Sequence, residues 1–236
     1  MADPSSQLSL FEAEATHLSW QNVITPAALD AVAQDRGQLV EFLGDRSLFA
    51  LGHYLLSWRL LHDEPVVLVD GANIINLALI LRLTHDLNPD RRKMLDQIHL
   101  SRAFTVHQLE AVIGDRLEPA MRKYQSRVCF ISGLLDTFYD EEVPMWEATR
   151  ILRRVMEKLR ALADLGYRVI VLASDPTSNT TRKRSLLPLV TKGADRIFAL
   201  VNENGQQILI DRTEATGDQR WHLPSFRFSI KGQPAR

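Results

Sequence analysis

The sequence predicts an α/β domain with a mostly parallel sheet flanked by helices and an antiparallel hairpin towards its C-terminus. Three observations predict it. Strand-like apolar runs alternate with segments of helical period, the pattern of crossover connections. Val66-Val67-Leu68-Val69 and Val128-Cys129-Phe130-Ile131 are apolar at every position, as strands covered on both faces are. Two further apolar runs, 197–201 and 207–210, flank Asn204-Gly205, a two-residue hairpin turn.

The elements follow in order. Residues 1–16 are small and polar without a period and read as a flexible leader; 17–236 read as one domain. Thr25-Pro26 supplies a cap and a first-turn proline to a helix that Gly37 ends. Residues 39–43 and 66–69 are strands, and 47–61 between them has the length and leucine spacing of a buried helix. Residues 75–86 and 90–97 read as helices and 99–101 as a short strand. Thr105 caps a helix that carries Val106, Leu109, Val112 and Ile113 on one face. Buried strands at 128–131 and 169–173 flank the longest amphipathic helix, 144–164, with Ile151, Val155, Leu159 and Leu162 on its inner stripe. Trp58 and Trp146 lie on helix faces and read as core residues. Trp20 and Trp221 flank the domain, and Phe226-Arg227-Phe228 reads as an edge strand.

Composition limits the functions open to such a domain. A formal charge of −1 rules out coating nucleic acid by bulk charge, so any DNA contact must come from a local patch. The one cysteine, Cys129, sits in an apolar strand and reads as a buried structural thiol; no intramolecular disulfide can form. The start Met-Ala-Asp-Pro-Ser-Ser-Gln lacks the basic and apolar parts of a secretion signal, and no window is apolar enough to span a membrane. The expectation is a cytoplasmic protein. The seven histidines have no metal-ligand spacing, and no nucleophile–histidine–carboxylate set is assignable, so no metal, cofactor or catalytic residue is expected.

Two stretches carry a family resemblance. Ile98-His99-Leu100-Ser101-Arg102-Ala103-Phe104-Thr105-Val106-His107-Gln108-Leu109 resembles the strand-to-helix segment of RadA-type recombinases. Residues 127–175, a strand, a loop, a long helix and a strand, resemble the ATPase core around its Walker B strand. The similarity covers roughly residues 37–228 and implies a RecA-like ATPase core. The active positions depart from that pattern. ATP hydrolysis on this fold uses a glycine-rich loop whose amides cradle phosphate, a lysine that reaches it and a hydroxyl on Mg²⁺. None of the eleven glycines precedes a lysine. At the expected place the chain reads Gly44-Asp45-Arg46-Ser47, a shortened loop in which Asp45 would repel phosphate. The Walker B aspartate falls on Ser132, and the water-activating glutamate on Ala72, two residues after Asp70. The resemblance therefore implies a pseudo-ATPase; retained nucleotide binding through Arg46 and Asp70 stays open.

Gln7-Leu8-Ser9-Leu10-Phe11 matches the pentapeptide by which bacterial polymerases and repair factors dock on the replication sliding clamp. A glutamine amide and a leucine–phenylalanine pair would fill an apolar cleft at the cost of ordering the segment. Folding back onto the domain as a strand is the alternative. The recombinase DNA-binding loop corresponds to 175–184, in which Arg182, Lys183 and Arg184 could neutralise phosphates; a solvated loop leading into a helix near Leu186 is the other reading. The second such loop is acidic. There Asp136, Asp140, Glu141 and Glu142 would either hold a metal or favour the N-terminus of the next helix through its dipole.

Together these readings imply a non-catalytic RecA-like accessory protein in DNA repair, recombination or translesion synthesis, within the SOS response. It would resemble the ImuA/SulA-like partners of translesion polymerases. Expected partners are the sliding clamp, a RecA-like or polymerase protein and single-stranded DNA. An active ATPase with a misread site, and a regulator of recombinase filaments that binds protein alone, are the competing functions.

Overall fold

The computed structural model describes residues 28, 37–85, 90–139, 142–174, 181–213 and 219–223, without the side chains of 181–184. Strands β1 (Gln38–Gly44), β2 (Val66–Asp70), β3 (Ile98–Arg102), β4 (Val128–Ser132), β5 (Arg168–Ser174), β6 (Arg196–Glu203), β7 (Gln206–Asp211) and β8 (Gln219–Leu223) form one sheet. Their order is β3-β2-β4-β5-β1-β6-β7-β8. β3 to β6 in that order are parallel, and β7 and β8 are antiparallel to their neighbours.

Helices cover both faces. On one face lie α1 (Leu48–Leu60), α2 (Leu77–Thr84) and α3 (Arg91–Asp96); on the other lie α4 (Val106–Ala111), a π-turn (Val112–Arg116), α5 (Leu117–Lys123), α6 (Met145–Asp164) and α7 (Thr181–Thr191). Two cores result, one on each side of the sheet. Val40, Phe42, Leu68, Phe130, Ile170 and Leu172 face α1; Leu39, Val67, Val69, Ile131, Val169 and Val171 face α6. β2, β4 and β5 are buried at every position, which is why their sequences show no alternation. Nearly every residue of α1 is buried, and its leucines surround the whole helix.

Local chemistry sets the boundaries. Thr105, Asn76 and Asp90 are N-caps whose side chains accept from the amides of Gln108, Leu79 and Lys93. The β6–β7 hairpin turns at Asn204 (φ 54°) and Gly205 (φ 81°), the left-handed pair that the Asn-Gly signal predicts.

Three readings of the sequence require correction. The antiparallel edge strand is Gln219–Leu223; Phe226-Arg227-Phe228 lies outside the described residues. Helix α7 begins at Thr181, so Arg182, Lys183 and Arg184 belong to its first turn and not to a loop. Trp146 is 65% exposed and not a core residue, because it falls on the outward stripe of α6. The helix expected at 25–36 lies outside the described residues except for Ala28, which is helical and buried.

One buried group goes against the pattern. Glu41, in the middle of β1, has no exposed surface, and neither carboxylate oxygen has a hydrogen-bond partner among the described residues. Burial pushes its pKa from 4.5 up to about 9, so it is neutral near pH 7. The unfolded chain releases this proton near 4.5 and the folded chain near 9, so stability falls as pH rises between those values. Urea titrations at about pH 5.5 and about pH 8.5 should show wild type losing up to about 4 kcal/mol relative to Glu41→Gln at the higher pH. Parallel pH profiles for the two proteins would mean that Glu41 ionises normally.

Candidate functional site

Topology selects one place for chemistry. β1 and β2 lead into helices on one face, whereas β4 and β5, which lie between them in the sheet, lead into helices on the other. The direction of the connections therefore changes at the C-terminal ends of β4 and β5, the place where ligands of open α/β sheets bind, although Ser132 and Ser174 there are buried within the chain. Asp70, Ser132 and Ser174 end β2, β4 and β5. Asp70 and Ser132 are register partners, and alternation along each strand aims all three side chains to the α1 face. The positions expected from the sequence thus converge: Gly44 to Ser47 at β1, Asp70 and Ala72 at β2, Ser132 at β4.

The β1–α1 connection is the three-residue turn 45–47, and the amides from Ser47 to Ala50 are bonded within it. Ser47 N–H donates to Asp45 Oδ1 at 2.8 Å, and the Ser47 hydroxyl donates to the same oxygen. The amides of Leu48, Phe49 and Ala50 donate to the carbonyls of Asp45, Arg46 and Ser47 at 3.0, 3.2 and 3.0 Å. A helix N-terminus attracts an anion because its first amides are unpaired and its dipole is positive there. Here the Asp45 carboxylate is that anion. Gly44 gives no extra room, since a Cβ on it would come within 2.7 Å of the Leu200 carbonyl oxygen.

Arg46 reaches from the same turn across the crevice to Asp136, at 3.6 Å. Asp136 opens a 3₁₀ turn (Asp136–Tyr139), and its Oδ2 accepts from the Ser174 hydroxyl at 2.9 Å. Burial raises the Asp136 pKa, against the opposing effects of the Ser174 hydrogen bond and the Arg46 charge. The sequence groups Asp136 with Asp140, Glu141 and Glu142 as a metal ligand or helix cap; the structure gives Asp136 a role of its own. It turns inward to Ser174, α6 has Pro144 at its N-cap position, and Glu147 is the one acid in its first turn. Asp140 and Glu141 lie outside the described residues.

Asp70 is fully buried and holds the loop that follows β2. Its two oxygens accept from the amides of Ile74 (3.1 Å) and Ile75 (3.0 Å), and Arg102 stands 3.6 Å away. His53 completes the loop's support from α1. Its Nε2 accepts from Asn76 N–H at 2.9 Å, which leaves the proton on Nδ1, 2.6 Å from the Phe49 carbonyl oxygen. Burial lowers the His53 pKa, against the raising effects of that carbonyl and of Asp70, so the ring stays neutral. Ala72 closes the adjoining gap. Gly133, at φ 69°, has no room for a side chain, because a Cβ would meet that of Ala72 at 2.3 Å. The Ser132 hydroxyl, beside these contacts, is buried without a hydrogen-bond partner.

Of the other sites expected from the sequence, Gln7, Leu8, Ser9, Leu10 and Phe11 lie outside the described residues, as do 175–180. Cys129 is fully buried and its thiol is pushed up to about 12, an unreactive structural position. His107 stands at the edge of hydrogen-bonding range of Glu147, 4.0 Å away. Among the described residues no cluster of three or more metal-binding side chains occurs, and no helix is long and apolar enough to cross a membrane. Sequence reasoning missed Ser174 and His53, which lie far from their partners along the chain. Glu41 did leave a signal, one carboxylate inside the apolar run 39–43. No protein-family model matches the chain.

The Asp70 geometry makes the loop after β2 dependent on one carboxylate. Asp70→Ala would orphan two amides, each worth about 1.5 to 3 kcal/mol when bound to a charged acceptor. Chemical denaturation should show a loss of about 2 to 5 kcal/mol. A loss below about 0.5 kcal/mol would show that the two amides find other acceptors.

Proposed function

We propose that the chain is a non-catalytic RecA-like accessory protein of DNA repair, recombination or translesion synthesis, tethered to the replication sliding clamp through residues 7–11. The fold supports the RecA-like part of this reading. A phosphate-loop ATPase needs a phosphate cradle, a metal-holding acid and a water-activating carboxylate around one crevice. The segments 44–47, 132 and 70–72 follow or end β1, β4 and β2 along one edge of the sheet, which is compatible with such an arrangement.

One observation carries the non-catalytic part: the four amides from Ser47 to Ala50, where the β1–α1 turn enters the helix, are taken by Asp45 and by the carbonyls of the turn. A triphosphate would have to displace a carboxylate and meet Arg46 already beside Asp136. Ser132 offers a hydroxyl in place of a metal-holding carboxylate, and Ala72 offers no base. Asp70 is occupied with backbone amides.

Purified protein with Mg²⁺-ATP should show no heat of binding in the micromolar range and no phosphate release. Turnover above that of a contaminant control would replace this reading with an active ATPase. Capture by immobilised sliding clamp should disappear in Leu10→Ala/Phe11→Ala; unchanged capture removes the tether. DNA binding is proposed for the first turn of α7. Anisotropy of labelled single-stranded DNA at about 0.1 M salt should fall several-fold in Arg182→Ala/Lys183→Ala/Arg184→Ala. Absence of binding by wild type would instead favour a regulator that acts through protein contacts alone.

A further inference from the structure

Helix α6 has a second face, with a composition of its own. Residues 146, 150, 153, 157, 161 and 164 recur at steps of three and four, lie opposite the buried stripe, and are all exposed. Read in order they are Trp146, Arg150, Arg153, Glu157, Ala161 and Asp164, with exposed Leu165 just beyond the helix. The N-terminal half is aromatic and cationic. The C-terminal half is acidic and small.

Several features set this face apart from an ordinary solvated one. Trp146 is 65% exposed and Leu165 60%, two of the four large apolar side chains so exposed among the described residues. The Arg150 guanidinium lies 5.4 Å from the Trp146 ring centroid, which holds the indole in place. Arg153 and Glu157 have no ion-pair partner among the described residues, whereas Asp164 on the same face is paired with Arg160, and Arg154 beside it with Glu110. α6 is also central in its layer, against α4 and the π-turn on one side and α7 on the other, so its outer face is where a flat partner would land.

We propose that this face is an interface between two copies of the chain, with α6 packed antiparallel against α6 of the second copy about a two-fold axis. The order of charges argues for this occupant. An axis between positions 153 and 157 sets Arg153 against Glu157 of the second copy, and by symmetry Glu157 against Arg153 of the second copy. The same register brings Trp146 over the Ala161–Leu165 end of the other helix, where a small residue lets the indole approach. A polyanion such as nucleic acid fits less well, because Glu157 and Asp164 would repel it along half of the face. The contact is isologous, and a homodimer is the commonest assembly of this symmetry.

The size of the contact sets its strength. Twenty residues of helix are about 30 Å long, and one helix face buries less than the roughly 800 Å² per partner of a stable complex. The dimer is therefore a weak one, in the micromolar range, unless flanking α4 and α7 add to it.

Sedimentation velocity of the full chain from about 1 to about 200 µM should show a concentration-dependent dimer, with the Trp emission moving to shorter wavelength as it forms. Arg153→Glu and Glu157→Arg should each raise the dissociation constant at least about tenfold, since each puts two like-charged pairs across the axis. The double variant Arg153→Glu/Glu157→Arg should restore it to within about threefold of wild type, and Trp146→Ala should weaken it without any charge change. These side chains are exposed, so all four variants should keep the wild-type circular dichroism spectrum. A wild type that stays monomeric overturns the proposal. So does a single charge reversal that stays dimeric, or a charge swap that does not restore the dimer.

Discussion

Strands covered on both faces can place polar side chains only at their ends, and this constraint organises the molecule. β2, β4 and β5 are buried throughout, and their polar residues fall at the ends: Asp70, Ser132 and Ser174 at the C-terminal edge and Arg168 at the start of β5. Burial there demands hydrogen bonds, and the demand builds the site. Asp70 meets it with two loop amides, Ser174 with Asp136, and His53 with Asn76. Each bond ties a loop to a strand or helix that the core already fixes. The edge is thereby rigid, and most of its polar capacity is spent within the chain. Two groups depart from that demand: the Ser132 hydroxyl and Glu41, a mid-strand carboxyl that has no partner among the described residues and keeps its proton.

The fold was legible in the sequence wherever a local rule sufficed. The unbroken apolar runs marked the inner strands, the Thr105 cap marked the start of α4, and Asn204-Gly205 marked the hairpin turn. Legibility failed where two options share one local pattern. Thr181 to Arg184 are polar and charged, as a loop or a solvated first helical turn would be, and only the helix that follows decides. Trp146 fails for a related reason. An aromatic residue on an amphipathic helix reads as core, but its phase matches Arg150, Arg153 and Glu157 and not Ile151 and Val155. Counting steps of three and four from either set would have separated them.

The site was legible as a set of positions and not as a set of contacts. Strand ends can be counted along the chain, so 44–47, 70–72 and 132 could be placed at one edge. What those residues do depends on partners dozens of positions away. Arg46 meets Asp136, Ser174 meets the same carboxylate, and His53 meets the amide of Asn76. In the sequence Asp136 looks like one member of an acidic run, and its role follows only from the inward turn of the 3₁₀ segment.

The closed turn at α1 has an energetic logic of its own. A phosphate cradle must leave amides unpaired when empty, and each such amide is a standing cost that the ligand later offsets. From Ser47 to Ala50 that cost is absent, since Asp45 and three carbonyls of the turn take those four amides. Reopening it would expose amides at the end of α1 while also separating Arg46 from Asp136. A nucleotide would have to supply both energies before it gained any affinity. That is the energetic content of the non-catalytic reading proposed above: it supposes that a phosphate-holding conformation of this turn lies above the one adopted, with no glycine–lysine pair in the chain to offset the difference.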